Sequence, residues 1–121
     1  MTTATILVVD DSPANLKLVA FVLRAYRVRT ATDAEAAVVS IAEVRPDLIL
    51  MDLQLPGIDG LELTRRLKSD ATTRAIPVIA VTAYAMAGDE ARARAVGCDA
   101  YVTKPIDTRA LPQIVAEHLA R

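Results

Sequence analysis

A chain of 121 residues with 14 Lys and Arg against 15 Asp and Glu is close to neutral, and its length suits one domain. An apolar content of 53% excludes intrinsic disorder, and the missing basic excess argues against a nucleic-acid partner. One cysteine, Cys98, excludes an intrachain disulfide and a cysteine-based metal site, and no apolar run approaches the roughly 20 residues of a membrane span. The opening Met1-Thr2-Thr3-Ala4-Thr5 lacks the basic start of a secretory signal, so a single cytoplasmic domain over 1–121, with no membrane partner, is the expectation.

Short apolar runs alternate with longer amphipathic stretches. The runs are Thr5–Val9, Val28–Ala31, Leu48–Met51, Pro77–Val81 and Ala100–Thr103. Ile6–Val9, Leu48–Met51 and Val78–Val81 are apolar at every position, which predicts strands buried on both faces of a parallel sheet. The first helix is predicted over Pro13–Tyr26, behind Ser12 as cap and with Pro13 at its first position. Helical spacing predicts further helices over Asp33–Val44, Leu61–Ser69 and Thr108–Ala120. Met86–Val96 reads as a helix with a thin apolar face, and so a weakly held one. Strand-helix order repeated five times gives an α/β fold: a five-stranded parallel sheet with right-handed crossovers and helices on both faces.

Ligands of such sheets sit beyond the carboxyl ends of the strands, at a topological switch point. The first strand ends in Asp10-Asp11, the third in Asp52, the fourth in Thr82 and the fifth in Lys104-Pro105. If the first and third strands are neighbours, three carboxylates share one corner. Two such charges about 4 Å apart repel by roughly 4 kcal/mol at an effective dielectric near 20. A hard dication resolves that, and oxygen ligands in a rigid corner point to Mg²⁺. Lys104 adds a positive charge suited to a phosphoryl oxygen.

The segments Ile6–Ser12, Pro46–Asp52, Leu55–Gly60, Val81–Ala83 and Tyr101–Pro105 together resemble the receiver domain of bacterial two-component response regulators. Thr82–Asp89 and Gly97–Tyr101 resemble one branch, holding stand-alone receivers of the cell-cycle (DivK) type and receivers attached to hybrid kinases. The resemblance implies a flavodoxin-like, doubly wound sheet of order 2-1-3-4-5. It implies Asp52 as phosphoacceptor, and Asp11, Asp52 and the Gln54 backbone carbonyl as Mg²⁺ ligands, with Asp10 reaching the ion through water. Lys104 and Thr82 would contact the phosphoryl group, Tyr101 would turn with the switch, and the Lys104–Pro105 bond would be cis. The implied donor is a histidine kinase or a histidine phosphotransfer protein. The implied output is altered binding of a downstream protein target by the face of the fourth helix, fifth strand and fifth helix, in a monomer or weak dimer.

Two departures stand out: no Gly precedes Tyr26, and Ala34 follows Asp33 where the family often has Gly. Met1 at the start and the lack of a trailing linker favour a stand-alone protein without an output domain; a receiver of a hybrid kinase or phosphorelay is the alternative. A metal-dependent phosphohydrolase is disfavoured because Gln54 stands where such enzymes carry a second Asp. A flavodoxin-like cofactor binder is disfavoured because Asp10-Asp11-Ser12-Pro13 is acidic where a phosphate loop is needed. Cys98 reads as a small buried hydrophobe. His118 reads as structural or solvated.

Overall fold

The computed structural model describes residues 3–55, 57–83 and 88–120. Of the residues the sequence singles out, Pro56 and 84–87, including the expected start of the fourth helix at Met86, lie outside the described residues. Ten elements alternate: β1 Thr5–Val9, α1 Pro13–Val22, β2 Arg27–Ala31, α2 Ala34–Glu43, β3 Leu48–Asp52, α3 Gly60–Ser69, β4 Val78–Thr82, α4 Asp89–Ala95, β5 Ala100–Thr103 and α5 Leu111–Leu119. The strands form one parallel sheet in the order β2-β1-β3-β4-β5, as the resemblance implies.

Strand alternation sorts the core into two layers. Leu7, Val9, Ile49, Met51, Val78 and Ala80 face one side, where they meet Ala34 and Ala37 of α2, Leu63 and Leu67 of α3 and Ala93 of α4. Ile6, Val8, Leu48, Leu50, Ile79 and Val81 face the other, against Leu16 and Val19 of α1 and Leu111 and Val115 of α5. β1, β3 and β4 are buried at every position, because helices cover both of their faces. The edge strands β2 and β5 are mostly half-exposed.

Three helices start on side-chain caps, of which Ser12 is the one predicted from the sequence. Ser12 Oγ accepts from the Asn15 amide, Asp33 from Ala36 and Asp59 from Glu62. Two helices fall several residues short of prediction at one end, while α2 loses one residue at each end, where Asp33 and Val44 are its caps. α1 stops at Val22, not Tyr26, because the following residues form a tight turn: Tyr26 N–H donates to the Leu23 carbonyl, and Arg27 N–H is claimed by Ala4 of the strand entry. α5 begins at Leu111, not Thr108. Asp107 Oδ1 accepts from the Arg109 and Ala110 amides and holds Thr108–Ala110 as a turn ahead of the helix.

Candidate functional site

Register brings the predicted residues to one edge of the sheet. Val9 pairs with Met51 and Asp52 with Val81, so Asp10 and Asp52 emerge side by side at the ends of β1 and β3. Backbone bonds fix both tips: Asp10 N–H donates to the Ala31 carbonyl and Leu53 N–H to the Val81 carbonyl. Asp10, Asp11 and Asp52 each offer one carboxylate oxygen, and these oxygens lie within 4.8 Å of one another. Asp10 and Asp52 are buried, whereas Asp11 is exposed.

Lys104 reaches this corner from the end of β5, where its amide donates to the Thr82 carbonyl. Its Nζ lies 3.0 Å from Asp10 Oδ2 and 3.1 Å from Asp52 Oδ2. The Lys104–Pro105 bond is cis. The remaining carboxylate oxygens are taken by backbone. Asp10 Oδ1 accepts from the Ser12 amide at 2.8 Å, and Asp52 Oδ1 from the Gln54 amide at 2.9 Å.

Burial pushes the Asp52 carboxyl above its usual range, with the Asp10 charge adding to the push. The Gln54 amide and Lys104 oppose it without cancelling it. Burial works against the Lys104 charge too, but the hydrogen bonds to Asp10 and Asp52 outweigh that and hold the ammonium above its ordinary value. Both groups sit in one partly desolvated corner, where three carboxylates crowd one ammonium that pairs with two of them. By formal charge, three carboxylates against one ammonium leave two negative charges, which one divalent cation would balance. A cluster of hard oxygens with that net charge fits Mg²⁺.

Thr82 ends β4 beside this corner. It is wholly buried, and its hydroxyl donates to Gln54 Oε1 at 2.9 Å. Tyr101 sits in β5, half-buried against the α2–α4 side of the core. Its hydroxyl is shielded from solvent and has no hydrogen-bond partner among the described residues. Sequence reasoning missed two contributors. Asn15 Nδ2 lies 3.4 Å from Asp10 Oδ2, and its place one turn into the first helix, beyond Asp10, was the available signal. Gly60 opens α3 so close to β3 that a Cβ there would run into the Asp52 carbonyl oxygen and lie 2.9 Å from Leu53 Cα.

Residues 6–116 match the response regulator receiver domain family. The chain belongs to that family. This receiver domain is 44% identical over 120 residues to the polar-differentiation response regulator DivK of Brucella ovis, covering 97% of each chain. DivK of Brucella anthropi is 45% identical over 118 residues, covering 95% of each. Among solved structures, the receiver domain of the sensor histidine kinase PA1611 from Pseudomonas aeruginosa, which has a magnesium ion coordinated in its active site cleft, superposes with a TM-score of 0.89. It shares 34% identity, over 99% of this chain and 100% of that one. A CheY-like receiver domain protein from Methanospirillum hungatei gives a TM-score of 0.90 at 29% identity, over 98% and 95%. Receivers of this family are two-component signalling proteins. Among the described residues, no helix is long and apolar enough to cross a membrane.

Proposed function

We propose that this receiver accepts a phosphoryl group on Asp52 and signals by the change of shape that follows. The observation that carries this reading is the approach of three carboxylate oxygens to within 4.8 Å beside a lysine that bridges two of them. Asp11, Asp52 and the backbone carbonyl of Gln54 would hold Mg²⁺, with Asp10 next to them, in keeping with the magnesium of the Pseudomonas receiver. Bound there, the ion neutralises phosphoryl oxygens as a carboxylate approaches.

The donor class is a phosphohistidine on a kinase or a phosphotransfer protein. An Asp52 carboxylate oxygen attacks phosphorus, so an O–P bond forms while the N–P bond breaks. The imidazole nitrogen leaves with the electron pair and is protonated from solvent. Lys104 is held protonated by its carboxylate partners, and it transfers a contact from Asp52 to a phosphoryl oxygen. Hydrolysis of the acyl phosphate resets the site.

The phosphoryl group adds about −1.5 to −2 of charge and new acceptor oxygens. Thr82 turns its hydroxyl to one of them, and Tyr101 repacks into the space released. The face of α4, β5 and α5 then differs for a protein target. Two of these elements are loosely held: α4 buries one residue, Ala93, and no β5 residue is fully buried. Similarity to a kinase-borne receiver supports a second setting for the same chemistry, a hybrid-kinase receiver or phosphorelay intermediate.

Intact mass after incubation with acetyl phosphate and Mg²⁺ tests the reading. One phosphoryl adduct, absent without Mg²⁺ and absent in Asp52→Asn, is expected. An adduct that survives in Asp52→Asn overturns it.

A further inference from the structure

Gln54 touches both ends of the proposed switch. Its amide donates to Asp52 Oδ1 at 2.9 Å, and its side-chain oxygen accepts from the Thr82 hydroxyl at 2.9 Å. A threonine hydroxyl carries one proton, so it cannot donate to Gln54 and to a phosphoryl oxygen on Asp52 together. Because Thr82 is wholly buried, its hydroxyl can change partner only within this corner. Gln54 is exposed, so once released its amide is rehydrated at little cost.

We propose that the Gln54 side chain is a latch: it holds the Thr82 hydroxyl in the unphosphorylated arrangement and sets how far the switch is biased against the phosphorylated one. Gln54 is thus a positioning residue acting through Thr82, separate from any ligand role of its backbone carbonyl. The inference rests on the reading that Asp52 takes the phosphoryl group and Thr82 turns to it. An interaction made only in the free state lowers the population competent to bind, and weakens apparent affinity by that fraction. Removing the latch therefore tightens binding of a phosphoryl mimic. One neutral, partly solvated hydrogen bond corresponds to about three- to fivefold.

The test is a double-mutant cycle on the whole chain, reading beryllofluoride affinity with saturating Mg²⁺ from ¹H–¹³C methyl and ring spectra. Gln54→Met keeps the side chain's length and loses its strong acceptor. It is expected to bind beryllofluoride about three- to fivefold more tightly than the parent. In the Thr82→Val background, which lacks the hydroxyl, the same substitution is expected to change affinity by less than about 1.5-fold. Without beryllofluoride, the Thr82 methyl and Tyr101 ring signals of Gln54→Met are expected to move part-way toward their positions in the liganded parent, a displacement that a purely structural role would not produce. Equal effects of Gln54→Met in both backgrounds, or no tightening in the first, overturn the latch while leaving phosphorylation at Asp52 intact. A parent that binds no beryllofluoride overturns both.

Discussion

Gly60→Ala tests how tightly α3 is seated on the strand that carries Asp52. The glycine is the first residue of α3, and its amide donates to the Leu53 carbonyl at 3.2 Å. An added Cβ would meet the Asp52 carbonyl oxygen and lie 2.9 Å from Leu53 Cα. Both atoms are backbone of the β3 end, so no side chain can rotate away, and α3 must lift by roughly an ångström. Overpacking of this kind costs typically about 1–3 kcal/mol. Alanine's better helix propensity returns about 0.5 kcal/mol at a terminal position. The expected net loss is about 2 kcal/mol, which lowers Tm by about 8 °C for a domain of this size. The clash falls on the backbone of Asp52 itself, so phosphorylation by acetyl phosphate should slow by about tenfold, since small misplacements of reacting groups are costly. Circular dichroism melting and time-resolved intact mass give the two numbers. A variant that melts at or above the parent's temperature and labels at the parent's rate refutes the close-packing argument.

Other consequences concern charge and the far edge of the sheet. Asp52 holds its proton more tightly folded than unfolded, so in the absence of Mg²⁺ the fold loses stability as pH rises from the ordinary carboxylate range through the raised value. Asp52→Asn should therefore melt higher than the parent at pH 7 without Mg²⁺, and the gap should close as pH falls toward 3.8; an equal gap at both ends of the scan contradicts it. Lys104→Met strips the corner of its internal cation and should cost about 3 kcal/mol at pH 7 without Mg²⁺, read from the urea midpoint. Added Mg²⁺ should stabilise that variant more than the parent, because the dication becomes the carboxylates' main countercharge. Asp99→Ala removes the oxygen that accepts from the buried Val78 amide at 2.8 Å and from Lys68 Nζ at 3.1 Å, so the urea midpoint should fall by an amount equivalent to about 2 kcal/mol with an unchanged slope.

Much of this molecule can be read from local pattern, and the exceptions have physical causes. β1, β3 and β4 are legible because burial on both faces leaves four consecutive apolar residues in each, with a polar residue only at one end. The α1 start is legible because Ser12 is a short polar cap directly ahead of Pro13, whereas α2 and α3 each begin one residue from the expectation, at Ala34 behind Asp33 and at Gly60 behind Asp59. The end of α1 is not legible, because Leu23 and Tyr26 continue an apolar spacing although their backbone already serves the turn into β2. Leu23 stays buried while leaving the helix, so burial alone does not mark the boundary. The strand-end residues are legible as a set, since one sheet edge collects them. Their contacts are a different matter. The bond from Thr82 to Gln54 spans 28 residues of sequence and exists because β3 and β4 pair with Asp52 opposite Val81. No local pattern encodes a register, so the Gln54 side chain's partner emerges only in three dimensions.

The distribution of burial also explains why chemistry and signal can coexist in so small a sheet. Asp10 and Asp52 are carried by strands with no exposed position, and their tips are tied by backbone bonds to Ala31 and Val81. That stiffness preserves a cluster of like charges that would otherwise spread apart. Lys104 and Tyr101 come instead from β5, an edge strand that buries no residue fully, and α4 beside it is seven residues long with no side-chain cap at its start. Local opening is least costly where few apolar contacts must be broken. On the proposed reading, a phosphoryl group on Asp52 would be met by the Lys104 ammonium from the compliant edge and by the Thr82 hydroxyl at the end of buried β4, next to that edge. In that proposal the reaction centre would stay in place, and the free energy of its new contacts would pass to the elements that have least to lose by moving.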